Sequence, residues 1–211
     1  GAAIEVLVWG PRPAPLPPLP AAAAAGQARL IHHYDDCLGR HGSHAAQLLL
    51  TAEDFTERGR YLNVRNTLNT LFEYGAVPIV NENDTITTEE IRVGDNDRLA
   101  AKVAQMVGAD DFVILTGVDG LYDRNPDEPG AKFIAEVEAV GMYMDATKGK
   151  STLGTGGMET KLLAANMAQE AGVTTWIAQG EVDHPVSSVL AQTRRSTKIL
   201  PHPCLLYTSP S

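Results

Sequence analysis

The chain has 211 residues, of which 44% are hydrophobic and 20% are charged, a composition ordinary for a globular protein with one sizeable core. A formal net charge of -9 argues against nucleic acid or an anionic membrane as the main partner, because both attract clustered Lys and Arg. The two cysteines, Cys37 and Cys204, have no metal-ligand spacing and can form at most one disulfide. No apolar run approaches the roughly 20 residues of a membrane-spanning helix, so we expect a soluble, cytoplasmic protein without a metal site.

The first half of the chain alternates between helical patterns and short apolar runs. After a Pro-rich stretch at residues 11–20, helices are predicted at residues 21–40 and 60–74 from their apolar spacing. Gly75 follows the second helix and can take the left-handed conformation that ends it. Short runs rich in aliphatic residues predict buried strands at residues 45–50 and 77–80.

The second half continues this alternation. A helix is predicted to begin near Arg98, capped by Asp95 or Asn96, and another spans residues 158–171 after a glycine-rich loop at 149–157. The remaining apolar runs predict strands at residues 112–115, 133–137 and 174–178. Strands that alternate with helices predict an α/β fold in which an open, mainly parallel sheet is sandwiched between helices, a three-layer αβα arrangement.

Ligands of open α/β sheets bind beyond the carboxyl ends of the strands, so the loops that follow strands are the candidate sites. The first such loop, residues 81–84, reads Asn-Glu-Asn-Asp and combines amides with carboxylates. These groups can donate to a carboxylate and accept from an ammonium, as recognition of an amino acid requires. A polar turn is the alternative, since Asn and Asp are common turn formers.

A second polar loop, Gly-Asp-Asn-Asp at residues 94–97, stands directly before the helix that begins near Arg98. A single capping residue would satisfy the helix terminus and stabilise it by about 1 kcal/mol. Two aspartates that flank an asparagine exceed this requirement, and a carboxylate here can also orient a lysine or a metal-bound phosphate. The residues alone do not decide between a helix cap and a functional carboxylate.

The third loop is glycine-rich and opens a helix that carries Lys161 in its first turn. Glycines let backbone N–H groups approach phosphate oxygens, the helix N-terminus adds partial positive charge, and a lysine can neutralise a phosphoryl group in transfer. The spacing differs from the Walker pattern, which disfavours the common P-loop fold. A flexible linker is the alternative interpretation of this loop.

Taken together, three runs identify a resemblance: VPIVNENDTITTEEIRVGDNDRLAA, VDGLYDRNPD and LGTGGMETKLLAA, in this order and at this spacing. They resemble the glutamate 5-kinases of the amino acid kinase family, and the similarity extends over residues 21–180. The resemblance implies the amino acid kinase fold and the ATP-dependent phosphorylation of the γ-carboxylate of L-glutamate to glutamyl 5-phosphate, the first step of proline biosynthesis. It also implies that the protein uses ATP with Mg²⁺ and self-associates as a homo-oligomer.

The resemblance assigns roles to residues of all three loops. It implies that glutamate is bound by four residues of the first two loops: Asn81, Asp84, Asp95 and Asn96. It makes Asp97 and Lys161 catalytic, with Asp97 organising lysines and Lys161 stabilising the charge that develops during transfer. It further implies two contact regions for ATP, and these comprise Thr116, Gly117, Thr155, Gly156, Gly157, Met158, Glu159, Thr160 and Lys161.

Some segments depart from the pattern of the family. The family domain begins with a strand and a Lys-Gly-Ser type loop that supplies a second catalytic lysine, and this sequence lacks both. Gly117 stands where many relatives have Asp, which leaves a backbone contact, and the loop at residues 142–150 is atypical. We therefore expect an atypical Pro-rich segment at residues 1–20, an amino acid kinase domain incomplete at its N-terminus at 21–198, and an unrelated tail at 199–211.

Two further functions remain open at this point. The chain can be a catalytically impaired fragment that only binds nucleotide or glutamate, or another amino acid kinase family member that acts on a different acid, such as an acetylglutamate or aspartate kinase. A metal-dependent hydrolase is disfavoured, because the six histidines show no spaced ligand set with acidic partners.

Overall fold

The computed structural model describes residues 19–84, 95–148 and 157–202. The chain divides into two compact units, Gly1–Asn96 and Asp97–Ser211, so the region expected as one domain at residues 21–198 contains parts of both. Within the described ranges, no helix combines the length and the apolar character that crossing a membrane requires.

In its described residues, 19–84 and 95–96, the first unit has a pair of parallel strands and three helices that lie wholly within it. Its elements are α1 Leu19–Gly39, β1 Ala45–Leu50, α2 Glu53–Thr56, α3 Arg58–Glu73 and β2 Val77–Glu82. β1 and β2 are paired from Ala45 opposite Val77 to Leu50 opposite Glu82. Gly75 has a φ of +69°, which confirms the left-handed residue predicted after the second long helix.

β2 is two residues longer than predicted. Asn81 and Glu82 belong to the strand and not to a loop, because they continue the parallel ladder opposite Leu49 and Leu50. The Asn83 N–H then donates to the Leu50 carbonyl at 2.8 Å, which carries the pairing one step further. Sequence patterns placed the end of β2 at the last aliphatic residue, whereas backbone hydrogen bonds decide where a strand ends.

A buried carboxylate joins the end of β1 to α3. Asp54 accepts hydrogen bonds from the Thr51 backbone N–H at 2.6 Å and the Thr51 hydroxyl at 2.9 Å, and its other oxygen accepts from Arg60 Nε at 2.8 Å. Burial by itself raises the pKa of Asp54, but these hydrogen bonds and the Arg60 charge outweigh it and lower the pKa below the ordinary value of 3.8. The ionised form of Asp54 therefore stabilises this corner.

The second unit is a mixed sheet covered by helices. Its elements are α4 Asn96–Val107, which begins at the last residue of the first unit, then β3 Asp111–Thr116, β4 Leu121–Tyr122, β5 Phe133–Ile134, β6 Glu136–Val137, α5 Gly141–Lys148, α6 Gly157–Glu170, β7 Thr174–Gln179, α7 Pro185–Leu190 and β8 Thr197–Ile199. Four strands follow the order β3-β7-β8-β6, with β3–β7 and β6–β8 parallel and β7–β8 antiparallel. β4 and β5 form a separate antiparallel pair.

Helices cover both faces of this sheet. Successive side chains of a strand point to opposite faces, and on β7 Ile177 joins a buried cluster with alanines of α4 and α6, whereas Trp176 and Ala178 pack with Val189 of α7. The predicted helix–sheet–helix layering is therefore present within this unit. The alanines, namely Ala101, Ala104, Ala164, Ala165 and Ala168, allow the helices to approach closely.

Two stretches of the second unit differ from the sequence prediction. The strand expected at residues 133–137 is two short strands, because β5 pairs with β4 while β6 pairs with β8, and the chain changes partner at Ala135. The atypical loop expected at residues 142–150 is mostly the helix α5. β8 was not predicted, and its Ile199 is fully buried, so the chain is packed beyond the expected boundary at residue 198.

One buried side-chain amide connects the chain after β8 to the core. Gln169 of α6 is fully buried, and its side-chain oxygen accepts from the Val140 N–H at 3.1 Å. Its side-chain nitrogen donates to the carbonyls of Glu138 at 2.9 Å and Leu200 at 2.5 Å. Gln169 thus satisfies three backbone groups of residues that lie just outside β6, α5 and β8.

We predict that Gln169→Leu destabilises the protein by about 3 kcal/mol, because a leucine of similar size cannot replace the hydrogen bonds to the buried Val140 N–H and to the partly buried carbonyls of Glu138 and Leu200. Urea unfolding followed by circular dichroism measures the change. Gln105→Leu, on the exposed face of α4, is the matched control and should leave the midpoint nearly unchanged. Equal midpoints for the two variants would contradict the role of Gln169.

Because Asp54 is stabilising in its ionised form, we expect the protein to lose stability as the pH falls. Its lowered pKa means that the carboxylate stabilises the fold above the ordinary value of 3.8, and that this contribution is lost as the pH falls through the lower folded value. Asp54→Asn should therefore lower the urea midpoint at pH 7, and the difference from the parent should shrink as the pH falls below about 4. Glu73→Gln, at an exposed position of α3, should show no such gap at either pH; a gap for Asp54→Asn that persists unchanged at low pH would contradict this account.

Candidate active site

The carboxyl ends of β3 and β7 lie side by side. Thr116 is opposite Gln179 in the parallel register, and the Gly180 N–H donates to the Thr116 carbonyl at 2.8 Å. The pairing fixes the point from which the chain leaves β3 through Gly117. In a parallel arrangement this end of the strands is where ligands bind.

A cavity of about 470 Å³ lies next to this end of β3. Three parts of the second unit form its wall: the end of β3 with the turn that follows, β4 with residues 124–127, and the first turns of α6. The residues that line it are Thr116, Gly117, Val118, Gly120, Leu121, Tyr122, Arg124, Asn125, Pro126, Asp127, Gly157, Met158 and Lys161. Five of the predicted ATP-binding residues therefore lie around one cavity: Thr116, Gly117, Gly157, Met158 and Lys161.

An ion pair joins the first turns of α4 and α6 at this cavity. Lys161 Nζ lies 2.9 Å from Asp97 Oδ2, and both side chains are mostly buried, at 18% and 23% exposure. The Thr160 hydroxyl lies 3.2 Å from the same carboxylate oxygen and 3.1 Å from the Gly157 carbonyl, so its single proton is donated to one of the two. The structure thus brings together the two residues predicted to be catalytic.

The other predicted site residues lie elsewhere. Glu159 is exposed on α6, and Thr155 and Gly156 lie outside the described residues. The four predicted glutamate-binding residues belong to the first unit: Asn81, Asp84, Asp95 and Asn96. Asn81 accepts a hydrogen bond from the Glu82 N–H at 3.0 Å, and Asn96 is exposed at the start of α4.

The wall formed by β4 and residues 124–127 contains cavity-lining residues that sequence reasoning did not assign to the site. The run VDGLYDRNPD contributed to the resemblance, yet no residue in it received a role. The Tyr122 hydroxyl donates to Asp119 Oδ1 at 2.8 Å, and this hydrogen bond raises the pKa of Tyr122. Asp123, by accepting from the Lys132 N–H at 2.8 Å, closes the turn between β4 and β5. The signal for these residues in the sequence was a turn dense in polar residues. The two strands on either side of it are too short to show periodicity.

Residues 10–179 match the family model described as the amino acid kinase family. The chain belongs to this family. As an amino acid kinase it also matches curated relatives: it is 45% identical over 203 residues to a glutamate 5-kinase of Pseudomonas putida, covering 95% of this chain and 55% of that protein. It is 51% identical over 172 residues to a glutamate 5-kinase of Paramagnetospirillum magneticum, covering 80% of this chain and 46% of that protein. The chain thus spans about half the length of the curated relatives it matches.

A solved structure shares the fold. The carbamate kinase of Giardia lamblia bound to AMP-PNP superimposes with a TM-score of 0.63, covering 95% of this chain and 79% of that one, at 14% sequence identity. At this identity the likeness concerns the fold alone. Together with the family match it confirms the predicted α/β class for this amino acid kinase.

The Asp97–Lys161 pair predicts the chemical reactivity of the lysine. Asp97→Asn removes the charge that holds the ammonium, so acetylation of Lys161 by an N-hydroxysuccinimide ester should become several-fold faster. Mass spectrometry of a Glu-C digest measures the rate. The exposed Lys132 is the internal reference in the same digest and should react equally in both proteins. An unchanged rate at Lys161 would show that Asp97 does not restrain it.

Proposed function

We propose that this amino acid kinase is the kinase part of a glutamate 5-kinase, which transfers the γ-phosphoryl group of ATP to the γ-carboxylate of L-glutamate. The observation that carries the proposal is Lys161, held by Asp97 at a cavity beside the carboxyl end of β3. The order of the sequence motifs and the names of the relatives in Pseudomonas putida and Paramagnetospirillum magneticum support glutamate as the acceptor. The proposed setting is the cytoplasm and the proposed assembly a homo-oligomer.

The cavity is the proposed nucleotide site. Its volume of about 470 Å³ lies within the range of small-ligand pockets, about 300–1,000 Å³. Gly157 opens α6, a helix of 14 residues, so its free N–H groups and its dipole favour phosphate there. The related fold in Giardia lamblia holds AMP-PNP, a nucleotide analogue, which supports ATP as the ligand here. Thr155 and Gly156 belong to the same proposed phosphate contact.

Magnesium is the ion proposed to accompany ATP. Among the described residues there is no group of three His, Cys, Asp or Glu side chains able to hold a metal ion. The ion would therefore be held mainly by the nucleotide phosphates.

The proposed chemistry is an in-line phosphoryl transfer. A γ-carboxylate oxygen of glutamate attacks the γ-phosphorus of ATP, the bond from that phosphorus to the β–γ bridging oxygen breaks, and ADP leaves with the electron pair. A glutamate carboxyl has a pKa near 4.3 and is ionised at neutral pH, so no general base is required. Catalysis then consists of positioning and charge neutralisation, with Lys161 facing the phosphoryl oxygens and Asp97 keeping its ammonium oriented.

The proposed glutamate site uses the polar residues of the first unit. Asp84 and Asp95 can accept from the α-ammonium of glutamate, and the amides of Asn81 and Asn96 can donate to its α-carboxylate. In a protein with a net charge of -9, an acidic substrate requires such local donors, because the overall field repels it.

The test of this function is ATP turnover by the chain with and without glutamate, together with calorimetric binding of each ligand. Glutamate-dependent release of ADP is the expected result. Binding of nucleotide without turnover would replace the proposal with a binding fragment, and turnover with another acid in place of glutamate would assign a different member of the family.

We predict different effects for two substitutions. Lys161→Ala should lower kcat by about 100-fold or more while glutamate affinity changes by less than about threefold, because its charge acts on the transferring group. Asp84→Ala should instead weaken glutamate binding by about tenfold or more, the typical effect of losing a charged hydrogen bond. Lys132→Ala, at an exposed position, is the control for loss of a positive charge. Equal effects of both substitutions on both quantities would contradict these roles.

A further inference from the structure

One wall of the cavity is attached to β8 by a single buried hydroxyl. The Leu121 N–H donates to Thr197 Oγ1 at 2.7 Å, and the same hydroxyl donates its proton to the Ile134 carbonyl at 2.6 Å. Thr197 is fully buried and Leu121 is 1% exposed. The hydroxyl therefore bridges β4 and β5 to β8, an inner strand of the four-stranded sheet, in a place that water does not reach.

The turn before Leu121 is packed directly onto the same threonine. Gly120 has a φ of +154°, and a Cβ at this position would lie 2.5 Å from Thr197 Oγ1 and 2.7 Å from Phe133 Cε2. Real Cβ contacts are longer than this, so a side chain at Gly120 would displace the turn or the threonine. The wall is thus held against β8 both by hydrogen bonds and by contact.

A second attachment lies two residues earlier in the chain. Arg195 Nη1 is 3.5 Å from Asp119 Oδ2, and the other oxygen of Asp119 accepts from the Tyr122 hydroxyl at 2.8 Å. Arg195 also lies over the Phe133 ring at 5.0 Å. Arg195 is largely exposed, so this contact contributes less than the buried one.

Thr197 can affect the cavity only through the residues that it contacts. Gly120, Leu121 and Tyr122 line the cavity, whereas Thr197 does not. Without the hydroxyl, the Leu121 N–H and the Ile134 carbonyl would each lose a hydrogen bond at a place shielded from water, and the wall would move to recover these bonds. A shift of this wall changes the shape of the cavity and leaves Lys161 and Asp97 in place, because these two residues stand on α6 and α4.

We propose that Thr197 is a positioning residue for nucleotide binding, which fixes the Gly120–Leu121–Tyr122 wall of the cavity through its doubly bonded hydroxyl. This inference rests on the proposed function of the cavity as the ATP site. It assigns the threonine to nucleotide affinity and not to the transfer step.

Two buried threonines of the sheet provide the test variants and a matched control. Thr197→Val removes the hydroxyl at nearly constant shape, and Thr197→Ser keeps it. Thr175→Val is the control, because Thr175 is equally buried, lies on the neighbouring strand β7, and its hydroxyl has no hydrogen-bond partner among the residues that the structure describes. Calorimetry with AMP-PNP measures nucleotide affinity for all of them, and steady-state kinetics measures kcat and KM for ATP.

We expect Thr197→Val to weaken AMP-PNP binding and raise KM for ATP by about tenfold, with kcat at saturating ATP within about twofold of the parent. Thr197→Ser should restore the affinity to within about twofold, and Thr175→Val should leave it unchanged. A purely structural role of Thr197 would lower the stability of Thr197→Val without this split between KM and kcat.

The outcomes separate the two proposals. If the parent chain does not bind AMP-PNP, the proposed nucleotide site is wrong and the inference falls with it. If the parent binds and folded Thr197→Val binds equally well, only the positioning role is overturned. If Thr197→Val does not fold, Gly120→Ala decides, since its Cβ meets Thr197 and Phe133: weakened binding supports the role, and affinity equal to the parent overturns it.

Discussion

The parallel pairing of β3 with β7 is the constraint on which the second unit depends. Six residue pairs run from Asp111 opposite Thr174 to Thr116 opposite Gln179. Both ends of the pairing are secured, by the Trp176 indole N–H on Asp111 at 2.7 Å and by the Gly180 N–H on the Thr116 carbonyl. A slip of one residue would turn Ile177 away from the alanine-lined cluster and toward α7, so burial on both faces specifies the register. The fixed register determines where Gly117 and the cavity begin.

The ion pair at the cavity follows from this packing and from charge. Alanines on α4 and α6 share one buried cluster, which lets the helices lie close enough for Asp97 to reach Lys161. An exposed pair of this kind would contribute at most about 1 kcal/mol and would be screened by salt. Here the pair is mostly buried, so the carboxylate has a definite effect on the direction of the ammonium. Because the chain is acidic overall, one cation held in a fixed direction attracts an anionic ligand more strongly than positive charge spread over the surface.

Sequence reasoning predicted the long elements and the order of the polar loops, and it missed what depends on distant pairing. Helical periodicity and the left-handed Gly75 were visible because they are local properties. The two-residue strands β4, β5 and β6 carry no periodicity, and they exist only because β8 and the β4–β5 turn supply partners. The same limit applies to the site: Asp97 and Lys161 were found through motifs, whereas the contact of Thr197 with Leu121 spans 76 positions of the chain.

Thr175 and Thr197 show why burial alone does not identify a role. Both are fully buried and both belong to the paired strands β7 and β8. A buried hydroxyl without a partner carries a desolvation cost, whereas one that satisfies an N–H and a carbonyl relieves that cost for three polar groups at once. The difference between the two positions lies in what surrounds each hydroxyl: at Thr197 one partner comes from β4, which borders the cavity, and the other from β5, which is paired with β4. A property of the second unit's core is thereby linked to the shape of its proposed nucleotide site.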